Sequence, residues 1–535
     1  MYSNVTSGTV SGIQGFLIRV EADSSEGLPG IHMVGCLSNE VRESGERIRT
    51  ALRNSGYYLP PKRIVVNLSP ADIRKDGSGF DLPIAAAILT ALGYLPQERL
   101  TATAVLGELS LDGRLLPVNG VLPIADCLAE AGYRTLILPK ANQREAAMIP
   151  QLRVVGLNCL SELVKCLNQD NYLEYAVSRG GAIVPGKPVI SRAPYDFSEF
   201  QGQPVVRRAM EIAASGMHNL LMTGPPGAGK TLAARCLTGI LPDLSFDESL
   251  ELTKIYSVRG MLKEQEEMRW GRPFRSPHHT ISASALIGGG VIPKPGEISL
   301  AHHGVLFLDE LPEFSRHAIE ALRQPLEDKY VMIGRLNRSC RFPADVMLVG
   351  AMNPCPCGCY PDRSRCQCSV QQIERYQSRI SRAILERIDL HLGIQPVTYA
   401  EMTGSQPGED SESIRKRVRR VHLLQQERYR NRRKADSASG DGLQFNSRLT
   451  PEELKHFCAL GREEQSFVQD IYEKRQLSAR SYHKILRLAR TIADMEESDR
   501  IRLPHLMEAA AYGRMEPEAF RPAERYVTTG GAVHG

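Results

Sequence analysis

The fold of this chain is decided by the stretch Gly224-Pro225-Pro226-Gly227-Ala228-Gly229-Lys230-Thr231. It follows the P-loop pattern of a glycine, four residues, then a glycine, a lysine and a hydroxyl residue. Glycines let such a loop wrap a polyphosphate, so that backbone N–H groups point at anionic oxygens. Lys230 would contact the β- and γ-phosphates, and the Thr231 hydroxyl would ligate Mg²⁺. The stretch therefore predicts a site for ATP and Mg²⁺.

The residues on either side supply the secondary structure that a P-loop requires. Asn219–Thr223 is a short apolar run, which predicts a buried strand, and Leu232–Leu237 predicts a helix. The positive end of that helix dipole would face the phosphates. We therefore interpret this part of the chain as an α/β nucleotide-binding core.

A second motif lies in Gly304–Glu310, where four apolar residues end in two acids. This pattern is typical of a buried parallel strand that delivers carboxylates to its C-terminal edge. Asp309 would belong to the Mg²⁺ shell, and Glu310 would polarise the attacking water as a general base. A third predicted strand, Val346–Gly350, is followed by Asn353, whose amide we expect to sense the γ-phosphate.

Length and composition set the broad class. A chain of 535 residues is too long for one core, so two to four domains are expected. A net charge of +5 is too small to indicate nucleic acid by itself. No apolar run reaches the length of a membrane span and no signal peptide pattern is present, which favours a cytoplasmic protein. The 12 cysteines then indicate reduced thiols or metal sites.

Composition shifts divide the chain. The predicted units are an α/β domain, a Pro- and Gly-rich linker, the ATPase core, a basic segment with a helical lid, and a tail. They span residues 1–170, 171–200, 201–396, 397–520 and 521–535.

The first unit resembles the proteolytic domain of Lon proteases in Lys75–Ser78, Gly107–Gly120 and Leu138–Asn142. Those enzymes use a serine that is activated by a lysine. In the Lon pattern the lysine follows the position of Gly120, but Val121–Asp126 contains no lysine here. We therefore predict a Lon-protease-like fold without peptidase activity.

Cysteines and histidines cluster within the core. Two close thiol pairs separated by a short loop can form a tetrahedral site, which predicts Zn²⁺ bound by four cysteines. These are Cys355, Cys357, Cys366 and Cys368, with Cys359 as a spare that leaves the choice of ligands open. Adjacent histidines chelate one ion poorly, so we expect loop hydrogen bonds or packing from His278, His279, His302 and His303.

Residues 329–342 contain two short apolar–polar runs that predict a β-hairpin, with Arg335 and Arg338 near its tip. A solvated surface hairpin is the alternative interpretation. Lys329 begins the segment.

Taken together, the motifs resemble the ComM/YifB family of magnesium-chelatase-like AAA+ ATPases of bacteria, over nearly the whole chain. The segments that carry the resemblance are the Lon-like unit, the P-loop, Arg272–His279, Pro295–His302, Leu306–Phe314, Asn353–Gly358 and Ala489–Asp494. The fold implied is a Lon-protease-like α/β domain followed by an AAA+ P-loop ATPase core with a C-terminal helical lid.

The resemblance also implies a function. ComM proteins are implicated in natural transformation, as hexameric helicases that branch-migrate incoming DNA during recombination. The insertion at 281–297 and the hairpin at 329–342 would then face the ring pore, which makes Lys329, Arg335 and Arg338 the candidate DNA contacts. Single-stranded, forked or branched DNA and recombination proteins are the implied partners.

Two further arginines are assigned by the resemblance. Leu385–Asp389 is similar to a family segment that makes Arg387 the arginine finger, which would act across a subunit boundary. Arg480 resembles the sensor-2 arginine of the lid. The family usually reads Ser-Gly-Pro-Leu-Leu-Asp where this chain has Ser381–Glu386, and an aromatic residue where it has Cys359.

Two other function classes compete with a DNA motor. A magnesium-chelatase-type motor would remodel a protein or drive metal insertion, but such subunits usually lack the Lon-like domain and the cysteine cluster. An ATP-dependent protease would need the missing lysine. Stimulation of ATP hydrolysis by DNA would separate the first two classes.

Overall fold

The computed structural model describes residues 2–169, 177–179, 195–262, 268–335, 338–397, 408–436 and 445–513. The predicted tail and most of the predicted linker lie outside these ranges.

Nineteen strands lie in the described ranges. They are β1 Tyr2–Ser11, β2 Gln14–Ser25, β3 Gly30–Val34, β4 Arg63–Ser69, β5 Thr103–Val105, β6 Glu108–Leu109, β7 Leu115–Leu116, β8 Thr135–Pro139, β9 Arg153–Leu157, β10 Val177–Arg179, β11 Leu220–Thr223, β12 Phe274–Arg275, β13 Gly288–Gly289, β14 Lys294–Pro295, β15 Val305–Leu308, β16 Tyr330–Arg335, β17 Arg338–Pro343, β18 Met347–Met352 and β19 Leu390–Gly393.

The same ranges contain nineteen α-helices. They are α1 Asn39–Asn54, α2 Asp81–Ala91, α3 Val121–Glu130, α4 Gln143–Ala146, α5 Leu160–Asn168, α6 Pro204–Gly216, α7 Lys230–Ile240, α8 Phe246–Arg259, α9 Ala283–Ile287, α10 Glu297–Leu300, α11 Arg316–Ala321, α12 Arg323–Asp328, α13 Val370–Gln377, α14 Arg382–Leu385, α15 Ser411–Asp436, α16 Pro451–Phe457, α17 Arg462–Lys474, α18 Ala479–Met495 and α19 Leu503–Ala511.

The first domain is built on a mixed sheet of eight strands, in the order β10-β9-β8-β5-β1-β2-β4-β3. Helix α2 is buried along its whole length, which explains why its sequence is apolar on every face. Helix α1 buries one face and is capped at its N-terminus by Ser38, whose side chain accepts from the backbone N–H of Val41. The mixed α/β prediction is confirmed. Strand β10, which lies within the predicted linker, pairs with β9 and extends this sheet.

The ATPase core contains a parallel sheet of five strands in the order β12-β15-β18-β11-β19. The P-loop strand β11 therefore lies between β18 and β19. Because all these strands are parallel, the residues that follow β11, β15 and β18 emerge at one edge of the sheet. This arrangement confirms the predicted P-loop fold and places its motifs side by side.

The basic segment forms the long helix α15, which packs against α6, α7 and α18. Its charges are partly neutralised by the core: Arg417 bonds to Glu211 at 2.6 Å and Arg415 to Asp243 at 2.6 Å. Buried apolar residues of α15 and α18 share one hydrophobic core with the P-loop helix α7. The helical lid is thus joined to the ATPase core by a continuous apolar contact.

The first domain docks directly on the ATPase core. The β1–β2 turn reaches β17, where a Cβ on Gly12 would lie 2.5 Å from the carbonyl oxygen of Arg341. Next to it, Ile13 packs against the core formed by β15, β18 and the hairpin. Helix α3 packs on α8, where Lys254 bonds to Asp126 at 2.5 Å. The two domains therefore share a packed interface.

Across the described ranges, every helix is too short or too polar to cross a lipid bilayer.

Candidate active site

The P-loop lysine is held by its own loop. Its Nζ donates to the carbonyl oxygens of Gly224 at 2.6 Å and Pro225 at 2.9 Å, and to Oδ1 of Asn353 at 3.0 Å. Burial lowers the pKa of Lys230, and the charges of nearby carboxylates oppose that shift. The structure therefore brings together Lys230 and Asn353, two predicted site residues that are far apart in the sequence.

The glycines of the loop are required by its backbone. Gly227 has φ of 78° and Gly229 has φ of 87°, which is the left-handed region that side chains other than glycine avoid. Gly229 caps the N-terminus of α7, so the loop ends at the positive end of an 11-residue helix. A Cβ on Gly224 would lie 2.4 Å from the carbonyl oxygen of Ile394. This cradle suits the phosphates of a nucleotide.

The predicted Mg²⁺ ligands are in contact. The hydroxyl of Thr231 donates to Oδ2 of Asp309 at 2.8 Å, at the ends of α7 and β15. Hydroxyl and carboxylate oxygens are hard donors that suit Mg²⁺, which also takes ligands from substrate phosphates. The donor set and its place beside the P-loop lysine fit the predicted ion.

Glu310 stands just beyond Asp309 in a strained conformation. Its φ is 52°, in the left-handed region that is uncommon for a glutamate, and its side chain is 58% exposed. Nδ1 of His279 lies 3.3 Å from its Oε2. His279 follows β12, the strand next to β15, and is a site residue that the sequence interpretation treated as loop packing. The sequence did offer one sign that His279 belongs to a functional site, because it lies in a long irregular segment and such segments are usually functional.

The four predicted zinc ligands form a compact cluster. The sulfur atoms of Cys355, Cys357, Cys366 and Cys368 all lie within 4.8 Å of one another. Cys355 and Cys366 are 3.8 Å apart, and Cys357 and Cys366 are 3.6 Å apart. Tetrahedral Zn²⁺ with Zn–S bonds near 2.3 Å would place its sulfurs ~3.8 Å apart. The spare, Cys359, instead contacts the carbonyl oxygen of Cys357, so the geometry fits zinc on the four predicted thiols.

The cysteine loop packs against the P-loop. Gly358 has φ of 78°, and a Cβ there would lie 2.4 Å from Cδ of Pro226. Behind it, Gln377 donates to the carbonyl oxygen of Pro354 at 3.0 Å. The cluster therefore supports the nucleotide loop from one side and begins two residues after Asn353.

The two predicted arginines, Arg387 and Arg480, lie together and share one carboxylate partner, Glu327. Nη2 of Arg480 donates to Oε1 of Glu327 at 2.5 Å, and Nη2 of Arg387 donates to Oε2 of the same carboxylate. The side chain of Arg387 is only 9% exposed. Glu327 is a second residue that the sequence interpretation missed, because one glutamate in a short surface helix has no motif.

The predicted hairpin is confirmed as the antiparallel pair β16–β17. Arg335 and Arg338 lie opposite each other at its end. Residues 336–337 lie outside the described ranges, and so do the side chains of both arginines. Lys329 sits at the other end of the hairpin, with its Nζ 3.6 Å from Oδ1 of Asp345. Nη2 of Arg448 from the lid lies 2.6 Å from the other oxygen of that carboxylate. Lys329 is therefore held in an ion pair with Asp345 at the foot of the hairpin, at the opposite end from Arg335 and Arg338.

His302 and His303 form hydrogen bonds, as expected. Nδ1 of His302 accepts the backbone N–H of Asp345 at 2.9 Å, so its ring proton must be on Nε2, which donates to Oε2 of Glu251 at 3.0 Å. Nε2 of His303 is also 3.0 Å from that oxygen. Burial alone would raise the pKa of Glu251, but the bonds from both histidines lower it well below its usual value. A protonated Nε2 on His302 has no lone pair for a metal.

In the first domain, Ser78 contacts a carboxylate. Its hydroxyl donates to Oε2 of Glu108, beside the pair in which Arg47 holds the buried Asp81 at 2.7 Å. Lys75, the nearest lysine in sequence, points its Nζ at the carbonyl oxygen of Pro70. These contacts differ from a serine activated by a lysine amine.

Three family models match this chain. "Magnesium chelatase, subunit ChlI" matches residues 196–402, its C-terminal model matches 408–513, and "Subunit ChlI of Mg-chelatase" matches 20–142. Among curated proteins, the chain is 41% identical to competence protein ComM of Haemophilus influenzae over 94% of this chain and 96% of that protein. The chain belongs to the ComM/YifB family.

Other relatives agree with this assignment. The uncharacterised YifB of Escherichia coli is 40% identical over 92% of this chain and 94% of that protein. The Lon protease of Trichlorobacter lovleyi is 25% identical over 30% of this chain and 21% of that protein. The predicted Mg-chelatase-like AAA+ fold with Lon-like homology is confirmed. Membership of the ComM/YifB family also supports ATP hydrolysis at the P-loop.

Proposed function

We propose that this protein is an ATP-driven DNA motor of the cytoplasm, a ring hexamer that promotes branch migration during natural transformation. Its substrates would be single-stranded, forked or branched DNA, delivered with recombination proteins. The observation that supports this best is the pairing of Arg335 with Arg338 across the end of a hairpin in the ATPase core. The similarity to a competence protein over nearly the full length supports the same function.

The position of the two arginines supports assembly into a ring. Lys230, Asp309 and Glu310 would bind and hydrolyse the nucleotide of their own subunit, whereas Arg387 and Arg480 contact Glu327 in this chain. An arginine finger acts on the nucleotide of a neighbouring subunit. A head-to-tail interface that closes gives a ring, and a ring would bring one hairpin per subunit to a common axis. A circle of arginines there would bind phosphate backbones without reading sequence.

The proposal is tested by replacing Arg335 and Arg338 together with alanine. We expect hexamers and basal ATP hydrolysis to persist, while stimulation by forked DNA and its dependence on salt both fall, because phosphate contacts are lost. The matched control replaces Arg49 and Arg53, which are exposed on α1 and carry the same charge. If the hairpin variant unwinds four-way DNA as well as the parent, the hairpin is not the DNA contact.

We also propose one Zn²⁺ per chain on the four clustered thiols. Elemental analysis of protein purified without chelator should give one zinc per chain. Cys355→Ser should lose that metal, because the buried Cys355 sulfur lies within 3.8 Å of two other sulfurs. Cys359→Ser should keep it, since its thiol contacts a carbonyl oxygen instead. Folded parent protein without zinc would refute the site.

A magnesium-chelatase-type motor is the second candidate, because the family models carry that description. Such a motor would act on a protein or on metal insertion. ATP turnover that ignores every DNA structure, in a protein that forms hexamers, would favour this function over the first.

A further inference from the structure

Glu327 stands between the two arginines proposed to sense nucleotide. One oxygen of its carboxylate accepts from Arg480 and the other from Arg387. Burial alone would raise the pKa of Glu327, but the hydrogen bond and charge of Arg387, together with Arg480, lower it. A single carboxylate therefore bridges both guanidinium groups within one chain and balances only one of their two positive charges.

This arrangement leaves Arg387 incompletely satisfied. Its Nη1 donates to the carbonyl oxygen of Ala383 at 2.7 Å, whereas its Nε is buried without a hydrogen-bond partner among the described residues. A phosphate group offers three strong acceptor oxygens and pairs well with guanidinium groups. The pair of Arg480 and Glu327 is about half exposed on both sides, and ion pairs of that kind are weak enough to exchange.

Glu327 is also directly connected to the hairpin. It is the penultimate residue of α12, which ends at Asp328. Lys329 caps that end with φ of 63°, and β16 begins at the next residue. The backbone N–H of Ala344 donates to the carbonyl oxygen of Lys329 at 2.8 Å and closes the foot of the hairpin. A displacement of Glu327 therefore acts on the strand that leads to Arg335.

We propose that Glu327 is a positioning residue that exchanges its two arginines with the nucleotide phosphates of a neighbouring subunit. This inference rests on the proposed function. When ATP in the neighbour draws Arg387 and Arg480 away, the carboxylate is released and the foot of the hairpin is freed. Hydrolysis and phosphate release return the arginines to Glu327. One carboxylate thus links the nucleotide state of one subunit to the hairpin of the next.

The test compares Glu327→Gln with Asp328→Asn, which removes the same charge from the adjacent exposed residue. Glutamine keeps the shape but weakens both ion pairs, so the arginines are held less firmly and reach the neighbouring nucleotide more readily. We expect basal kcat to rise about 2- to 5-fold with KM for ATP unchanged, which is the size of effect expected for losing the half-exposed Arg480–Glu327 ion pair. Stimulation by forked DNA should shrink by the same factor. Glu327→Asp should fall between parent and Glu327→Gln.

The outcomes separate this inference from the proposed function. A rise in basal kcat for Glu327→Gln with none for Asp328→Asn supports the exchange. Basal kcat that is unchanged, or that falls together with the DNA-stimulated rate, overturns it. The DNA response of the parent tests the motor itself, because the basal comparison requires no DNA. Thermal midpoints of all variants, measured alongside, identify a loss of folded protein, in which case Glu327→Asp supplies the comparison.

Discussion

Replacing Glu310 with glutamine is expected to leave ATP bound and almost unhydrolysed. The glutamate follows Asp309, which with Thr231 forms the predicted Mg²⁺ site, and its side chain is 58% exposed on a strained backbone. Positioned general bases contribute about 10²–10⁴-fold to rate, so kcat should fall by that factor. Glutamine keeps the shape and the hydrogen bonds of the site, so the affinity for ATP should remain near that of the parent.

Steady-state hydrolysis and nucleotide titration provide the measurements. Glu313→Gln is the matched control, because Glu313 lies nearby but pairs with Arg379 at 2.9 Å on the surface. That exchange should change kcat little. Lys230→Ala should show the opposite pattern to Glu310→Gln, with loss of ATP binding, because the phosphates lose their buried cation. Normal turnover in the Glu310→Gln protein would contradict the assignment of the base.

Removal of zinc is expected to weaken ATP binding as well as thermal stability. The cysteine loop leaves no space between Gly358 and Pro226 of the P-loop, and it begins just after the lysine partner Asn353. Without the metal, four thiols held within 4.8 Å lose their common partner and the loop relaxes. We expect the affinity for ATP to fall at least about tenfold, or about 1.4 kcal/mol.

The measurement is a titration with a fluorescent ATP analogue, before and after the zinc is removed with a chelator under reducing conditions. Mg²⁺ is restored in excess before each titration. Added Zn²⁺ should return the affinity to its starting value. Cys359→Ser, whose thiol lies outside the cluster, should behave as the parent throughout. A zinc-free protein that remains folded and binds ATP with unchanged affinity would show that the cysteine loop does not support the P-loop.

Local patterns predicted the nucleotide core well. The P-loop, the acidic strand and the strand before Asn353 each carry their own signal, because buried parallel strands are apolar throughout and their polar residues lie at one end. The parallel order of the sheet then forces those ends together. The clustering of the four cysteines was predictable for a similar reason, since four thiols within 14 residues can reach one another on a short loop.

Contacts between distant segments were not predictable in this way. Glu327 has two arginine partners from different parts of the chain, and no local pattern identifies which surface glutamate will meet them. His279 faces Glu310 only because β12 lies beside β15 in the sheet. The long helix α15 was also missed as a helix, because its many basic residues obscure the apolar stripe that packs on the lid.

The turn between β1 and β2 joins the first domain to the hairpin of the ATPase core. Gly12 lies against the backbone of β17, and Ile13 packs against the hydrophobic core of the neighbouring domain. Any movement of the β16–β17 hairpin would therefore have to move the β1–β2 turn as well, or break the contact with it. If the hairpin moves as proposed for a DNA motor, this contact with the first domain would restrain it, and substitutions in the turn would change how far the hairpin moves without touching the nucleotide site.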